Sequence, residues 1–385
     1  MQKHIVRKSN IRGMVGIDFE VDELYVFTQA FLIWLERTTV LQKVAVGMDG
    51  RLHSSAIYHK VAQAIIDAGH QVYFVGACPT PVLVHSLYAL PVQAGIMITG
   101  SGSNEQYNGL KLYVDKKPVE GLALQEIYTI SLDMKKVDVG TQGKIVPCPI
   151  VDQYLDSVWQ EFAHLSQYDF SVVLDIGSGV TGFILQKLIQ KMGWKQVVLL
   201  HEQVDGTFPF HAPDPADYKN LELLKQHMSL YPHSFGIAFD GDGDRLAVID
   251  EKMIIVSPER MIAIFARNIL VKHVHGKIAH DIVDSAWLDY VLDHAQGKVI
   301  AVKDDQQPFF SLVEASQALC AGQRHGKFYF KDRHHGYPDA IYVFLRLLDI
   351  LVQERCMVHD LLLKLPKQIV GYMPQTSTVE QNYQG

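Results

Sequence analysis

Hydrophobic and polar positions follow the same order in three parts of the chain. In each part an apolar strand leads into a turn of glycine and polar residues, and an amphipathic helix and a second apolar strand follow. These parts are residues 43–76, 171–202 and 277–304. A glycine just past a helical stretch is a typical stop signal, and the three helices are predicted to stop at Gly69, Gly193 and Gly297.

The strands of these units are rich in β-branched residues and alternate with helices, which indicates parallel sheets covered on both faces. The units begin roughly 110–130 residues apart, close to the usual size of a domain. The sequence therefore predicts three tandem α/β domains with mixed, mostly parallel sheets. We place them at residues 1–145, 146–252 and 253–365, followed by a short segment at 366–385.

The composition, with 48% hydrophobic and 20% charged residues, is that of an ordinary globular protein. A formal net charge of −7 argues against nucleic-acid binding, because nucleic-acid-binding proteins carry basic patches. The four cysteines form no CxxC pair, so they suggest neither a disulfide framework nor a zinc site. The N-terminus lacks the apolar core of a signal peptide and no apolar run approaches the length of a membrane span, so we expect a cytoplasmic protein without a membrane partner.

The segment GIAFDGDGDRLAVIDE, residues 236–251, carries the sharpest chemical signal. Asp240, Asp242 and Asp244 alternate with glycines between two strand-like runs. Alternate residues of an extended chain point the same way, so the three carboxylates can converge on one cation that offsets their repulsion. Carboxylates are hard oxygen ligands, and the adjacent Arg245 is a residue type that binds phosphate, so the loop favours Mg²⁺. A solvated acidic turn is the simpler alternative.

A calcium-binding EF-hand is a further alternative for the same loop. Counting from Asp240, acidic residues fall at positions one, three and five, and Glu251 falls at position twelve. Position six, however, is Arg245, where an EF-hand requires glycine, and the flanking segments resemble strands rather than helices. We therefore reject the EF-hand.

A glycine-rich turn has the spacing of a dinucleotide-binding fingerprint. Gly177, Gly179 and Gly182 follow a predicted strand and precede a predicted helix, and Glu202 ends the next strand. This spacing is compatible with an NAD-dependent enzyme or another nucleotide-binding protein. The other explanation is a tight turn whose glycines allow the helix and the strand to pack closely.

Residues 98–111, ITGSGSNEQYNGLK, place Ser101 between two glycines after a short apolar run. Spacing alone leaves two explanations, a phosphoryl carrier held on a sharp turn or only the loop that ends a strand. Cations lie near glycines in the segments NIRG, GMDGR and NGLK, at Arg12, Arg51 and Lys111. Each alone is typical of a surface residue, but together they match what a dianionic phosphoryl group needs.

The segment GQRHGKFYFKDRHH, residues 322–335, is rich in basic side chains. A solvated charged loop explains this composition, and the histidine spacing matches no metal motif. The same cations could also select an anionic ligand.

Taken in chain order, these motifs resemble the α-D-phosphohexomutase superfamily, in particular its phosphomannomutase/phosphoglucomutase branch. The resemblance runs through NIRGMVG, VAVGMDGR, GACPTPVL, AGIMITGSGSNEQYNGLKLY, VVLDIGSGVTG, VDGTFPFHAPDP, AFDGDGDRLAVID and RHHGYPDAIYVFLRLLDIL. It covers almost the whole chain. It implies that the turn at 177–182 belongs to the second domain and binds no dinucleotide.

The resemblance implies phosphoryl transfer between the two ends of a hexose phosphate. A phosphoserine at Ser101 passes its phosphoryl group to the sugar, the hexose 1,6-bisphosphate reorients, and the serine regains a phosphoryl group from the other end. The implied cofactor is Mg²⁺, held by the phosphoserine and by Asp240, Asp242 and Asp244. Such a reaction depends mainly on positioning and charge neutralisation.

The resemblance also implies roles at the substrate. Lys111 and Arg12 would assist proton transfer and hold the transferring group, while Arg245 and Arg51 would bind phosphate. The sugar-recognition loop of the superfamily falls at residues 322–327. Its three contacting positions are Gln323, His325 and Lys327.

Several of these positions depart from the pattern of the superfamily. The histidine that follows the serine is Gly102, and the aspartate of Asp-Ile-Arg-Gly is Asn10. An upstream Gly-His is replaced by Asp305 and Gln306, and none of the three sugar-contacting side chains of Gly-Glu-x-Ser-Gly-His is retained. A fourth domain, which supplies a clamp for the non-reacting phosphate in the superfamily, is expected to be absent because the segment after residue 354 is too short for it.

Two functions of different classes follow. The chain is expected to be a phosphohexomutase with weakened activity on a phosphorylated hexose, because lost remote contacts no longer lower the barrier. The alternative is a catalytically impaired binding or regulatory protein that keeps the fold. A nucleotide-binding oxidoreductase, based on the turn at 177–182, is a remote third.

Overall fold

The structure is a computed structural model, and it describes residues 1–37, 40, 42–134, 143–282, 286–302 and 308–366. The predicted departures at Asp305 and Gln306 and the segment after residue 366 lie outside the described residues. The described residues form three sheets with accompanying helices, one after another along the chain, as predicted for three tandem α/β domains. No described helix is both long and apolar enough to cross a bilayer.

In the described residues of the first domain, the structure has seven strands and four α-helices. The strands are β1 (Ile11–Met14), β2 (Lys43–Met48), β3 (Gln71–Ala77), β4 (Ala94–Ile98), β5 (Tyr107–Val114), β6 (Lys117–Pro118) and β7 (Lys144–Pro147). The helices are α1 (Glu23–Glu36), α2 (Ser54–Asp67), α3 (Thr80–Ala89) and α4 (Leu122–Asp133). The sheet order is β1-β5-β4-β2-β3-β7, with β6 paired to β5. Because β7 pairs with β3, this sheet extends past the predicted boundary at 145.

The second domain contains five strands and three helices. The strands are β8 (Val172–Asp175), β9 (Val197–Leu200), β10 (Phe235–Phe239), β11 (Leu246–Ile249) and β12 (Ile255–Val256). The helices are α5 (Val151–Phe162), α6 (Gly182–Met192) and α7 (Glu222–Met228). The sheet order is β12-β11-β10-β8-β9, with β10, β8 and β9 parallel and the other pairs antiparallel.

Four strands and five α-helices are found in the part of the third domain that the structure describes. The strands are β13 (Lys277–His280), β14 (Lys298–Ala301), β15 (Cys320–Gly322) and β16 (Phe328–Phe330). The helices are α8 (Pro258–Leu270), α9 (Ala286–His294), α10 (Phe309–Ser316), α11 (Ala340–Glu354) and α12 (Val358–Leu363). The sheet order is β14-β13-β15-β16, and only β15 and β16 pair antiparallel among these described strands.

Each repeated sequence pattern forms a β–α–β unit with parallel strands, as predicted: β2–α2–β3, β8–α6–β9 and β13–α9–β14. Gly69 and Gly193 adopt the left-handed backbone expected after a helix, with φ of 82° and 73°. The third helix also ends before its predicted glycine, at His294, but Gln296 rather than Gly297 takes the left-handed conformation, with φ of 56°. Gly297 serves packing, since a Cβ there would lie 2.7 Å from the Leu270 side chain.

One hydrophobic core passes through all three domains, and α11 lies in it. Asp339, which precedes this helix, accepts a hydrogen bond from the backbone N–H of Tyr342 at 3.0 Å. The same carboxylate accepts a hydrogen bond from the Tyr154 hydroxyl of α5 at 2.9 Å. Asp339 therefore caps α11 and joins the third domain to the second.

Replacing this cap should destabilise the protein. We expect Asp339→Ala to lower the free energy of unfolding by about 2–4 kcal/mol, because it removes a helix cap and leaves the buried Tyr154 hydroxyl unpaired. Urea unfolding followed by circular dichroism measures this change. Asp339→Asn, which keeps an acceptor at the cap, should lose clearly less. An unfolding midpoint of Asp339→Ala equal to that of the parent would contradict the proposed role.

Candidate functional site

The loop between β10 and β11 gathers the three predicted carboxylates. The two strands pair antiparallel, with Phe239 opposite Leu246, so residues 240–245 turn back sharply. Asp240, Asp242 and Asp244, here called the acidic triad, are 0%, 0% and 3% exposed. One oxygen of each lies within 4.8 Å of the other two. The flanking strands agree with the rejection of an EF-hand.

The acidic triad retains oxygens that fit a cation. Asp240 Oδ1 accepts hydrogen bonds from the backbone N–H groups of Asp244 and Arg245, at 3.0 and 3.1 Å. In contrast, Oδ1 of Asp242 and Oδ1 of Asp244 are buried and accept no hydrogen bond within the described structure. A buried carboxylate oxygen without a partner is costly, and convergent carboxylates are the ligands that Mg²⁺ prefers. The residues present therefore fit a magnesium ion.

Three cations, one from each domain, contact the acidic triad. Lys111 of β5 donates to Asp242 and, at 2.6 Å, to Asp244. Lys327, next to β16, donates to the same oxygen of Asp244 at 2.7 Å. Arg245 Nε donates to Asp240 at 2.9 Å. The charges of three buried carboxylates are thus balanced by groups that lie far apart in the sequence.

These contacts set the protonation states at the site. Burial and the neighbouring Asp242 raise the pKa of Asp240 to about 7. Burial opposes ionisation of Asp242 as well, but contact with Lys111 outweighs it and lowers that pKa. Burial also disfavours the charge on Lys111, yet Asp242 and Asp244 raise the pKa of its ammonium group. Lys111 is therefore held as a cation by two carboxylates, and its implied role in proton transfer stays a prediction.

Ser101 faces the acidic triad. Its backbone has a left-handed φ of 50°, and its Oγ donates to Asp240 Oδ2 at 2.9 Å. Arg245 Nη2 donates to the same Oγ at 3.3 Å. The neighbouring Gly102 allows this approach, because a Cβ there would lie 2.1 Å from Arg245 Nη2. The loop thus presents the predicted serine to the predicted metal site.

Arg51 does not occupy the position predicted for a phosphate ligand. Its guanidinium is fully buried, and its Nε donates to Asp49 at 3.0 Å. Its remaining N–H groups donate to the backbone carbonyls of the serine loop, at Ser101, Ser103, Asn104 and Tyr107. Every donor of the side chain is therefore used. Arg51 holds the serine loop, and it has no N–H group left for a substrate phosphate.

Arg12 lies on the other side of the same loop. Its Nη1 donates to the carbonyl of Gly100 at 3.3 Å, whereas its Nε is buried without an acceptor. Burial and the nearby Arg7 lower the pKa of Arg12 to about 10, so it remains a cation at neutral pH. Unlike Arg51, it keeps a donor for an anion at the serine loop.

The structure divides the predicted sugar-binding residues. Lys327 and Gln323 line a cavity of about 160 Å³ that also contains Lys111 and Asp244. The Gln323 side chain donates to Asp281 at 3.2 Å and accepts from the Tyr329 hydroxyl at 2.8 Å. His325 lines a separate small cavity instead, and burial followed by the charge of Arg245 lowers its pKa.

Sequence reasoning missed several residues of the site. The cavity is also lined by Tyr113, Glu120 and Tyr329, and burial raises the pKa of Glu120 to about 7. Asp214 accepts from Arg245 Nη1 at 2.8 Å, and the Thr80 hydroxyl donates to the acidic triad. Asp214 and Thr80 lie in the segments HAPDP and PTPVL, and only the resemblance to the superfamily indicated that these segments are functional. No spacing rule marks Glu120, because only packing of the first domain against the third brings it there.

Comparison with known proteins gives a consistent result. Residues 3–138, 152–253 and 257–369 match the alpha/beta/alpha domains I, II and III of phosphoglucomutase/phosphomannomutase. A phosphomannomutase/phosphoglucomutase of Pseudomonas aeruginosa is 32% identical over 359 residues, which is 91% of this chain and 74% of that protein. A phosphoglucomutase of Neisseria meningitidis is 30% identical, over 99% of this chain and 80% of that protein.

A solved structure of a phosphoglucomutase/phosphomannomutase family protein from Burkholderia thailandensis is similar throughout. It has a TM-score of 0.86 and 28% identity, and the match covers 96% of this chain and 81% of that one. A likeness to a putative phosphomannomutase of Thermus thermophilus, with a TM-score of 0.82 and 20% identity, covers 93% of this chain and 82% of that one and supports the same fold.

The glycine-rich turn at 177–182 takes its place within this family fold. A Cβ at Gly182 would lie 2.1 Å from the carbonyl of Glu202, and one at Gly179 would lie 3.0 Å from the carbonyl of Gly241. The glycines therefore allow close packing, and the match to domain II over residues 152–253 overturns the oxidoreductase alternative. With three domains matched in order, the chain belongs to the phosphoglucomutase/phosphomannomutase family.

Proposed function

We propose that this chain moves a phosphoryl group between the 6 and 1 positions of a hexose, with Ser101 as the carrier and hexose 1,6-bisphosphate as the intermediate and activator. The observation that carries the proposal is the position of Ser101 Oγ, 2.9 Å from Asp240 in a buried triad of carboxylates. Named relatives at 30–32% identity support a phosphorylated hexose as the substrate class.

The proposed reaction conserves atoms and charge. A hydroxyl oxygen of the sugar phosphate attacks the phosphorus on Ser101, the bond from phosphorus to Oγ breaks, and the hydroxyl proton ends on Oγ. When the bisphosphate has turned round, the reverse step takes the other phosphoryl group and regenerates the phosphoserine.

The acidic and the basic residues of the site have different roles in the proposed reaction. Asp240, Asp242 and Asp244 would hold Mg²⁺, which supplies positive charge to the oxygens of the transferring group. Arg245 contacts Ser101 Oγ at 3.3 Å and would bind the phosphoryl oxygens as they leave or arrive. Lys111, which contacts Asp242 and Asp244, would add positive charge to the same region.

The cations around the serine loop would complete the phosphate site. Arg12 has an unused buried N–H group beside Gly100, which an anionic oxygen could accept. Lys327 borders the cavity between the first and third domains, where the rest of the sugar phosphate would lie. We assign Arg51 a positioning role, since its donors hold the serine loop.

A binding or regulatory protein without turnover is the second candidate. It is favoured by the two ammonium groups that share one oxygen of Asp244, because they compete with a metal ion for that carboxylate. The two candidates differ in whether Ser101 carries a phosphoryl group.

The proposed function predicts that Ser101 becomes phosphorylated. After incubation with glucose 1,6-bisphosphate and Mg²⁺, mass spectrometry of the full chain should find one added phosphoryl group, on Ser101. Ser101→Ala should remain unmodified and should not interconvert mannose 6- and 1-phosphates. Ser103→Ala is the matched control, because it removes a hydroxyl from the same loop but keeps the backbone that Arg51 contacts. An unmodified parent without turnover would support the binding protein.

Removal of the metal ligands should stop the transfer. We expect Asp242→Asn to reduce kcat by about 10²–10³-fold, since it weakens the electrostatic stabilisation of the transferring group. Treatment of the parent with EDTA should have a comparable effect that added Mg²⁺ reverses. Asp156→Asn, on the exposed face of α5, is the control. Full activity of the parent in excess EDTA would show that the lysines replace the metal.

Lys327 should contribute to substrate binding. We expect Lys327→Ala to weaken binding of glucose, mannose or glucosamine phosphates by about 10- to 100-fold, the loss of one hydrogen bond to a charged group. Calorimetric titration measures it. Lys331→Ala is the matched control, because Lys331 pairs with Glu314 and not with the acidic triad. Equal affinities of the parent and Lys327→Ala would remove Lys327 from the binding site.

A further inference from the structure

A second cluster of metal-ligating side chains lies apart from the acidic triad. Asp175, at the end of β8, contacts His201 Nδ1 through Oδ1 at 2.9 Å and His211 Nε2 through Oδ2 at 3.0 Å. One ligand atom of each residue lies within 4.8 Å of the other two. We call Asp175, His201 and His211 the histidine cluster. In the described part of the chain, it and the acidic triad are the two such groups.

The carboxylate of this cluster needs a positive partner. Asp175 is 0% exposed, and its two carboxylate oxygens lie against ring nitrogens of His201 and His211. Oδ1 also accepts the backbone N–H of Gly177 at 3.0 Å. A buried ionised carboxylate is stable only when a cation or several hydrogen bonds compensate its charge.

The hydrogen bonds of His211 restrict which positive group can lie beside the Asp175 carboxylate. Its Nδ1 lies 2.9 Å from the carbonyl of Ala212, which can only accept, so Nδ1 carries a proton. A neutral His211 then has a lone pair on Nε2, facing Asp175. Either His211 is an imidazolium ion or a metal ion lies between Nε2 and the carboxylate. A carbonyl that accepts the other N–H is the usual outer contact of a metal-bound histidine.

The ligand types and spacing favour a transition metal. Two atoms that each lie about 2.1 Å from a tetrahedral Zn²⁺ ion are about 3.4 Å apart, so the nitrogen–oxygen pairs here, at 2.9 and 3.0 Å, would open by about half an ångström to bind it. Imidazole nitrogens suit Zn²⁺ and related ions rather than Mg²⁺. We propose that Asp175, His201 and His211 form a second cation site, for Zn²⁺ or another divalent metal that binds imidazole.

The proposed ion would hold a segment that reaches the acidic triad. Two residues after His211, the carbonyl of Pro213 accepts the backbone N–H of Gly241 at 3.2 Å. The next residue, Asp214, accepts from Arg245 at 2.8 Å. A metal on His211 would therefore restrain the segment that positions Arg245 beside Ser101. This places a structural cation next to the phosphoryl site without adding a ligand to it.

Zinc titration of the full chain tests the proposal. The protein is produced without a histidine tag and titrated with Zn²⁺ against a chromophoric chelator, in excess Mg²⁺. We expect one tight site per chain, and we expect His201→Gln and His211→Gln each to weaken it by at least tenfold. His227→Gln is the matched control, because its ring lies 6.4 Å from that of His201 but its Nδ1 contacts the carbonyl of Leu223. Asp242→Asn should keep the site.

Two results would overturn the proposal. One is the absence of a tight site in the parent. The other is a site that disappears in Asp242→Asn but persists in both histidine variants, which would place the zinc in the acidic triad and leave an imidazolium at His211. If a histidine variant fails to fold by circular dichroism, X-ray absorption of the zinc-loaded parent decides, because of the two ligand groups in the described residues the histidine cluster supplies two imidazoles and the acidic triad supplies none.

Discussion

The balance of charge at the acidic triad is the constraint on which the rest of the site depends. Asp240, Asp242 and Asp244 are almost completely buried, and uncompensated charges in a protein interior are costly. Lys111, Arg245 and Lys327 supply the compensation. Because each cation comes from a different domain, the triad is balanced only when all three domains are packed together.

The same charge balance allows the site to bind the proposed Mg²⁺ ion and the phosphoryl group at the same time. A phosphoserine adds a charge of about −1.5 to −2, and the two positive charges of Mg²⁺ offset most or all of it, so the net charge of the site changes little. The unpartnered oxygens of Asp242 and Asp244 are available for the ion. The two lysines on Asp244 set a cost for metal binding, since one carboxylate oxygen already accepts from both.

Residues that do not contact the reacting groups position the backbone of the serine loop. Arg51 uses all its donors on Asp49 and on the carbonyls of the serine loop, which makes the loop a fixed element although it is rich in glycine and serine. Gly102, which departs from the superfamily, leaves room for Arg245 Nη2 beside Ser101. A side chain at this position would meet the guanidinium of Arg245, which contacts Ser101 at 3.3 Å.

The sequence by itself determined the three β–α–β units and the spacing of the acidic triad, because hydrophobic periodicity and short-range spacing are local properties. The order of the motifs along the chain is the basis on which Ser101 is proposed as the phosphoryl carrier. Only the tertiary structure decided that Arg51 supports the serine loop and that Asp175 contacts two histidines. It also decided that His325 lies outside the cavity lined by Lys111 and Lys327. Those facts depend on contacts between segments distant in sequence, which residue spacing does not encode.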